Sequence, residues 1–180
     1  MKSDVVPKQR SVWRFDPSHT TVEFSVKKLF FFTVRGRIAV SEGTVVLDET
    51  DIANSSVSAV LKTESINTGN NRRDEHLRGT DFLAADKHPE IRFESSRVGP
   101  GRDRDTISVR GTLTIKGETA GVELDVSEVD RSQSPRGEEV IYYVATTELD
   151  RFDFGIRYVP GVIGRKLKVA INVQACRPTQ

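Results

Sequence analysis

The chain has few of the side chains that disulfide, zinc and redox chemistry require. Its 180 residues include one cysteine, Cys176, and three histidines, His19, His76 and His88. A single cysteine excludes an intrachain disulfide and a zinc site with several thiolate ligands. No two histidines have the i, i+4 spacing of a helical zinc pair, so a structural role is favoured for each of them. The sequence therefore predicts neither a metal site nor a cofactor.

Two further features are missing: a long apolar segment and an excess of one charge. No segment approaches the length needed to cross a bilayer as a helix, and 27 basic residues nearly balance 26 acidic ones. The small net charge argues against nucleic acid as a partner. Residues 1–10 are polar and lack the apolar core of an export signal. We therefore expect a soluble, cytoplasmic protein with a flexible tail over residues 1–10.

Motifs of phosphate binding and nucleophilic catalysis are also missing. The glycine-containing runs at 99–102 and 161–164 lack the strand–loop–helix context of a phosphate loop. No G-x-S-x-G elbow occurs, and Ser18 beside His19 is only a weak hydrolase signal without one. These absences favour a protein that is not an enzyme.

What the chain has in abundance is alternation of apolar and polar residues. Between residues 22 and 175, apolar residues recur at every second position in many short segments, with turn signals such as Lys116-Gly117 between them. Period-two alternation is typical of half-buried antiparallel strands. Eight or nine such strands indicate an all-β sandwich or a closed barrel. Closure is favoured because it removes unpaired strand edges.

One segment, Arg72 to Ser95, interrupts this alternation with charged residues at helical spacing. Asn70 or Asn71 is a suitable N-cap, and Gly79 fits the end of a helix. A second short turn is expected to follow and to end before Pro89. The segment therefore predicts two short helical turns on a loop that bridges two strands.

The charged side chains of this segment have two interpretations. In the first, they form a lid at a pocket mouth, where Arg73 or Arg78 faces a polar or anionic headgroup. In the second, Asp74 and Asp81 belong to an ion-pair network that pins a helical cap to the barrel, with His76 as a hydrogen-bonding member. The second interpretation is favoured for the two aspartates, and the sequence does not decide between them for the arginines.

Residues 29–32 form an apolar run, Leu-Phe-Phe-Phe, whose side chains point both ways out of a strand. The simpler interpretation is a strand end that is covered on both faces. The alternative is an apolar rim where a lipid-like ligand enters, in peripheral contact with a membrane. The basic residues Lys27, Lys28, Arg35 and Arg37 lie alongside, although a short basic cluster is usually only a solvated surface.

Eight motifs follow one another in a fixed order between residues 12 and 176. They are Trp13-x-Phe15-Asp16-x-x-His19, Phe24-x-Val26-x-x-Leu29, Val34-Arg35-Gly36-Arg37, Ser65-Ile66-Asn67-Thr68, Arg73-Asp74-x-His76-Leu77-Arg78-x-x-Asp81-Phe82, His88-Pro89-x-Ile91-x-Phe93-x-Ser95, Gly111-x-Leu113-Thr114-Ile115-x-Gly117-x-Thr119 and Arg151-x-Asp153-Phe154-Gly155-Ile156. Together they resemble the YceI-like family of lipocalin-like, polyisoprenoid-binding barrels. Relatives often carry histidine at the position of Lys28, and many are exported.

The resemblance implies a fold and a ligand class. The fold is an antiparallel eight-stranded lipocalin-like β-barrel over residues 11–178, with short helical segments between residues 70 and 88. Its apolar lumen is expected to hold a long isoprenoid, and family members are usually described as homodimers. The chain is therefore expected to bind, transport or store an isoprenoid, a quinone or another amphiphilic lipid without catalysis.

The expected ligand-binding residues fall into three groups. The predicted lumen wall consists of Phe24, Val26, Val34, Leu61, Phe93, Leu113 and Ile115. The predicted mouth consists of Leu29, Phe30 and Phe82, and the predicted polar contacts are Arg73, His76 and Arg78. Two alternatives stay open: an enzyme that uses His76 with Asp74 or Asp81 on a lipid-like substrate, and a barrel filled by its own side chains.

Overall fold

The computed structural model describes residues 10–177, which form one sheet of antiparallel strands and a short α-helix. The strands are β1 (Arg10–Phe15), β2 (Thr21–Lys28), β3 (Phe32–Asp48), β4 (Ser56–Lys62), β5 (Glu90–Pro100), β6 (Ile107–Ile115), β7 (Glu118–Gln133), β8 (Glu139–Asp150) and β9 (Ile163–Arg177). The helix is α1 (Asn71–Arg78), and single 3-10 turns occupy Ile52–Asn54, Thr63–Ser65 and Arg151–Phe154.

The sheet closes into a barrel of eight strands. Each strand from β2 to β9 pairs antiparallel with the next one, and β9 pairs back onto β2. Strand β1 continues the position of β2 between β3 and β9, because Trp13 pairs with Val45 and Phe15 pairs with Ala175. The predicted all-β, antiparallel eight-stranded barrel is therefore confirmed, and its first strand is interrupted at residues 16–20.

One end of the barrel is filled by side chains from β1, β3, β8 and β9. Trp13, Ile141 and Ala175 are at most 2% exposed there and pack with Val45 and Leu47. Burial of large apolar side chains of this kind stabilises the fold by roughly 1.5–3 kcal/mol each. This cluster closes the barrel at the end that carries Arg10 and Arg177, the first and last described residues.

The opposite end carries the two longest connections, residues 63–89 and 151–162. Alternate connections of an antiparallel barrel lie at the same end. The β2–β3, β4–β5, β6–β7 and β8–β9 connections therefore share this end, which we call the mouth. Helix α1 belongs to the longest of them, residues 63–89. The same end also holds an apolar cluster that includes Ile66, Phe82, Leu83 and Phe154.

Local capping explains where α1 begins and ends. The Asn70 side chain accepts a hydrogen bond from the Arg73 amide at 3.0 Å, as expected of an N-cap. Gly79 ends the helix with an extended backbone rather than a left-handed one. The predicted second helical turn is replaced by hydrogen-bonded turns over residues 80–88, because Ala84 adopts a φ of +46° that a right-handed helix does not allow.

The remaining domain predictions fall partly outside the described residues. The predicted tail, residues 1–10, lies outside them except for Arg10, the first residue of β1. The last residue of the predicted barrel domain, at position 178, lies outside them as well. Within residues 10–177, no helix is long and apolar enough to cross a membrane.

Candidate functional site

The barrel encloses a cavity of about 590 Å³ that extends from the filled end to the mouth. This volume lies within the range of roughly 300–1,000 Å³ that small-molecule sites occupy. All eight strands of the closed barrel contribute to the wall, and most of the contributed side chains are apolar. The cavity is thus a lumen left between the alternating inward side chains of the strands.

The predicted wall residues lie on the inner face. All seven of them line the cavity: Phe24, Val26, Val34, Leu61, Phe93, Leu113 and Ile115. Their strands alternate inward and outward, so one inward residue determines the direction of its neighbours at i±2. In each of these strands, the face that carries the predicted wall residues is the one that faces the lumen.

Two glycines let large aromatic rings lie flat against the inner wall. A Cβ atom on Gly36 would come within 2.5 Å of the Phe24 ring, its cross-strand partner. A Cβ atom on Gly111 would come within 2.8 Å of the Phe93 ring. Both glycines occupy inward positions of the alternating pattern, where a side chain would push the ring out of the wall.

Three aromatic rings meet at the mouth. The centroids of His76 and Phe82 are 5.1 Å apart, and Tyr158 lies 5.0 Å from His76 and 5.1 Å from Phe82. His76 Nε2 lies 2.8 Å from Asp81 Oδ2, which fixes the imidazole ring from its outer side. All three rings line the cavity, so this aromatic cluster covers part of its opening.

A second network places Arg73 at the cavity. The Asp74 carboxylate is buried and accepts hydrogen bonds from the Thr68 amide, at 2.9 Å, and from the Thr68 hydroxyl. Arg73 donates to the same hydroxyl at 2.7 Å and to the Thr68 carbonyl at 2.8 Å. The predicted acid–base combination of His76 with Asp74 is therefore not formed, because Asp74 is directed to Thr68, whereas His76 does pair with Asp81.

The predicted ion-pair network is mostly a set of hydrogen bonds to neutral groups. Arg78 donates to the carbonyls of Glu64, at 2.8 Å, and of Ile66, at 3.3 Å. Lys116 donates to the Thr80 carbonyl at 2.9 Å. These charges hold the helical cap on the barrel by binding backbone oxygens. Arg78 lies outside the cavity lining, and its contact with a headgroup stays a prediction.

Leu29 and Phe30 also lie outside the cavity lining. They occupy the turn between β2 and β3, where they are 47% and 81% exposed. The φ angles of both residues are positive, 50° and 62°, so the chain reverses within the turn and carries their side chains beyond the end of the barrel. Both residues lie at the mouth end of the barrel but not on the lumen wall, and their part in ligand binding stays a prediction.

Arg151 is a buried cation in the cavity wall. It is 5% exposed, and its guanidinium donates to the carbonyls of Ile156, Ile163 and Gly164, each at 2.9 Å. Burial lowers the pKa of Arg151, while the neighbouring Asp150 acts in the opposite direction. The Asp150 carboxylate itself binds Arg165, which lowers the pKa of Asp150. Arg151 therefore organises the β8–β9 connection from inside the barrel.

The charged groups that line the lumen have one sign. They are Lys28, Arg73 and Arg151, joined by the imidazole of His76, and all come from the mouth end. Within residues 10–177 no carboxylate lines the cavity. An apolar interior with cationic groups at its opening suits a molecule with an apolar chain and a polar or anionic head.

Other candidate groups lie apart from the lumen. His19 Nδ1 lies 2.8 Å from Asp16 Oδ2 and 3.2 Å from the Ser18 hydroxyl. Both contacts use the same ring nitrogen, so these residues do not form the relay across an imidazole that a serine hydrolase uses. In the described part of the chain, no group of three or more histidine, cysteine or acidic residues is placed to hold a metal ion.

Comparison with known proteins decides the family. The model of the YceI-like domain matches residues 13–175, nearly the whole chain. The chain belongs to the YceI-like family. A UPF0312 protein of Vibrio parahaemolyticus is 33% identical over 142 residues, which cover 77% of this chain and 73% of that protein. A UPF0312 protein of Pectobacterium atrosepticum is 29% identical, covering 92% and 86% of the two chains.

Solved structures share the YceI-like barrel. BcnA of Burkholderia cenocepacia superposes with a TM-score of 0.79 at 18% identity, covering 89% of this chain and 98% of that one. The YceI protein of Campylobacter jejuni gives 0.70 at 25% identity, with coverages of 85% and 90%. A polyisoprenoid binding domain from Saccharophagus degradans gives 0.63 at 13% identity, with coverages of 94% and 100%.

Several lining residues of this YceI-like lumen were not among the predicted ones. They are Ile66, Leu77, Leu83, Phe154, Ile156 and Tyr158 at the mouth, the inward residues of β7, β8 and β9, and Arg151. Alternation in β9 marks Leu167, Val169 and Ile171 and was sufficient to find them. The role of Arg151 has no such local signal, because its three acceptors come from a loop and the start of the next strand.

Proposed function

We propose that this protein binds a long-chain amphiphile, such as an isoprenoid, a quinone or another lipid, and carries or stores it without catalysis. The chain of the ligand would occupy the lumen. The observation that carries this proposal is the cavity of about 590 Å³, whose wall is mostly apolar and has cationic groups at its mouth. The polyisoprenoid binding domain from Saccharophagus degradans, which has the same fold, supports this ligand class.

The energetics favour a ligand with a long apolar chain. Each buried methylene contributes roughly 0.8 kcal/mol of transfer free energy. Part of this is offset by the loss of ligand freedom on binding, so chain length is expected to determine affinity more than any single polar contact does. A filled-barrel structural protein is disfavoured because the space between the inner side chains is large enough for a ligand.

The head of the ligand would lie at the mouth beside Arg73, His76 and Arg151. These groups are cationic or, for the imidazole, able to donate a hydrogen bond, and they suit an anionic or carbonyl-bearing head. Arg73 and Arg151 already donate to backbone carbonyls, which holds both side chains in place before a ligand arrives. The alternative of an enzyme acting on a lipid-like substrate rests on the His76–Asp81 pair alone. That pair is explained by its place in the aromatic cluster.

Native mass spectrometry followed by organic extraction tests the proposal. Purified protein is expected to carry a lipid of defined mass, which is released into the organic phase. A lumen-filling variant, Ala59→Trp, is expected to lose this lipid, because Ala59 lines the cavity. Ala39→Trp is the matched control, since Ala39 is exposed on the outer face of β3.

The results separate the alternatives. Lipid retention by Ala39→Trp and its loss by Ala59→Trp would support binding in the lumen. The proposal is wrong if wild-type protein is purified without a lipid and also fails to take up an isoprenoid or a fatty acid that is added to it. Conversion of an offered lipid to a product, lost in His76→Ala, would instead favour the enzyme. The homodimer and the cytoplasmic location stay predictions, and light scattering would check the first.

A further inference from the structure

The exposed apolar side chains of this protein are concentrated at the mouth. Of the eight large apolar residues that are exposed within residues 10–177, six lie on the β2–β3 turn, on the first residue of β3 and on the β8–β9 connection. They are Leu29, Phe30, Phe31, Phe32, Tyr158 and Val159, which we call the apolar rim. The two segments are joined, because the Leu29 amide donates to the Val162 carbonyl at 2.8 Å.

The β2–β3 turn and the first residue of β3 hold their side chains outward at a conformational cost. Phe30, Phe31 and Phe32 are 81%, 87% and 63% exposed, which is unusual for three successive phenylalanines. Leu29 and Phe30 have positive φ angles, a backbone conformation that tight hairpin turns usually reserve for asparagine or glycine. A sequence selected only for the turn would not place large apolar residues here, so their exposure calls for a partner.

The charge around the rim identifies that partner. No acidic residue occurs between Phe24 and Ser41 or from Phe154 onward. The first of these segments carries four lysines and arginines, and the second carries five. Arg165 and Lys166 bind Asp150. Among the described residues, Lys27, Lys28, Arg35 and Arg157 make no ion pair. An apolar tip flanked by unpaired cations has the composition that binds the interface of an anionic bilayer.

We propose that the apolar rim docks on the surface of an anionic membrane, with the phenylalanines inserted among the headgroups and Lys27, Lys28 and Arg157 above the phosphates. Docking in this orientation directs the mouth of the lumen toward the bilayer. A lipid chain then passes between the bilayer and the lumen without crossing water. This last step rests on the proposed function, whereas docking itself does not.

Vesicle flotation with the full chain tests the docking. The probes are vesicles of phosphatidylcholine alone and of phosphatidylcholine mixed with phosphatidylglycerol in equal parts. Wild-type protein is expected to float with the mixed vesicles, and this binding should weaken at high salt because the cationic contribution is screened. The double variant Phe30→Ser/Phe31→Ser is expected to partition at least about tenfold less, since two phenyl rings no longer leave water.

A matched control uses the remaining two exposed apolar residues. Val12 and Val129 are 51% and 57% exposed and lie on β1 and β7, away from the mouth. The variant Val12→Ser/Val129→Ser should bind the mixed vesicles within about twofold of wild type. All four substituted positions are exposed, so the variants should melt at the wild-type temperature.

Three outcomes would overturn the inference. In the first, wild-type protein stays out of the vesicle fraction. In the second, the phenylalanine variant floats as well as the valine variant does. In the third, light scattering shows that the rim holds two copies of the chain together and that vesicles do not bind. Lipid extraction is scored separately, so protein that carries lipid without docking contradicts this inference alone, and docked protein without lipid contradicts only the proposed function.

Discussion

The imidazole of His76 stands edge-on to the phenol ring of Tyr158, with centroids 5.0 Å apart and planes at 82°. The two residues come from different connections: His76 from α1, and Tyr158 from the segment between β8 and β9. Phe82, which is buried, completes the cluster. The pair therefore joins two parts of the mouth across the opening of the lumen.

Removal of the Tyr158 ring should open the mouth with little effect on folding. The variant Tyr158→Ala is expected to release a bound fluorescent fatty acid several-fold faster than wild type, because one wall of the opening is lost. The free energy of unfolding should fall by only about 0.5–1.5 kcal/mol, the usual contribution of an aromatic pair. Stopped-flow dilution measures the release rate, and urea unfolding measures the stability.

Tyr142→Ala is the control for this experiment. Tyr142 lies on β8 but does not line the cavity, so its removal should leave the release rate unchanged. Equal release rates for the two variants would show that Tyr158 is not part of the barrier.

Two glycines on neighbouring strands should respond to alanine in opposite ways. A Cβ atom on Gly111 would lie 2.3 Å from the Glu94 carbonyl oxygen and 2.8 Å from the Phe93 ring, whereas nothing lies within 4 Å of one on Gly121. Gly111→Ala should lower the free energy of unfolding by about 1–3 kcal/mol, because backbone must move. Gly121→Ala should raise it by up to about 1 kcal/mol, because the unfolded chain loses freedom. Equal effects in urea unfolding would contradict this account.

The sequence predicted those parts of the fold that depend only on the two-residue alternation of a strand. Alternation predicted the strands and, once the barrel closes, which residues such as Phe93 and Leu113 point inward. It did not separate residues 29–32 into strand and turn, because a run of large apolar side chains has no period. It also did not assign Arg151, since its role depends on carbonyls that only the folded β8–β9 connection brings together. Local pattern thus determined the wall, and long-range contacts determined the mouth.

Asp48 should make stability depend on pH in the acid range. Its carboxylate is fully buried, and Oδ1 accepts hydrogen bonds from the Thr50 hydroxyl at 2.7 Å and from the amides of Thr50 and Asp51 at 3.0 Å. These bonds, the Thr50 hydroxyl first, lower the pKa of Asp48 from 3.8 to about 2. The folded state therefore releases this proton more readily than the unfolded state does. The resulting stabilisation is complete above pH 3.8 and is lost as the pH falls toward 2.

Urea unfolding at several pH values checks this prediction with two variants. Asp48→Asn removes the group that titrates. Between pH 3.8 and the folded-state pKa of about 2, its free energy of unfolding should therefore fall less steeply than that of wild type. Thr50→Val removes the hydroxyl that contributes most to the lowered pKa of Asp48, so the pH dependence of its unfolding free energy should be partly reduced over the same range. A constant difference between wild type and Asp48→Asn across this interval would rule out Asp48 as the source.

Arg151 should be the most sensitive polar residue of the mouth. Its guanidinium satisfies the carbonyls of Ile156, Ile163 and Gly164, and none of these contacts survives in Arg151→Met. Buried carbonyls without donors are costly, so the free energy of unfolding should fall by about 2–4 kcal/mol. Arg151→Lys should recover little of this free energy of unfolding, because one ammonium does not reproduce the planar arrangement of guanidinium donors.

Arg157→Met provides the comparison for this effect. Arg157 is exposed and lies over the Phe152 ring at 5.1 Å, a contact worth about 0.5–1 kcal/mol at such a site.

Because Arg151 also lines the lumen, Arg151→Met should weaken the binding of an anionic lipid more than that of its uncharged ester, even at temperatures where both variants are folded. Equal weakening for the acid and the ester would assign Arg151 to the architecture of the loop and not to recognition of the head.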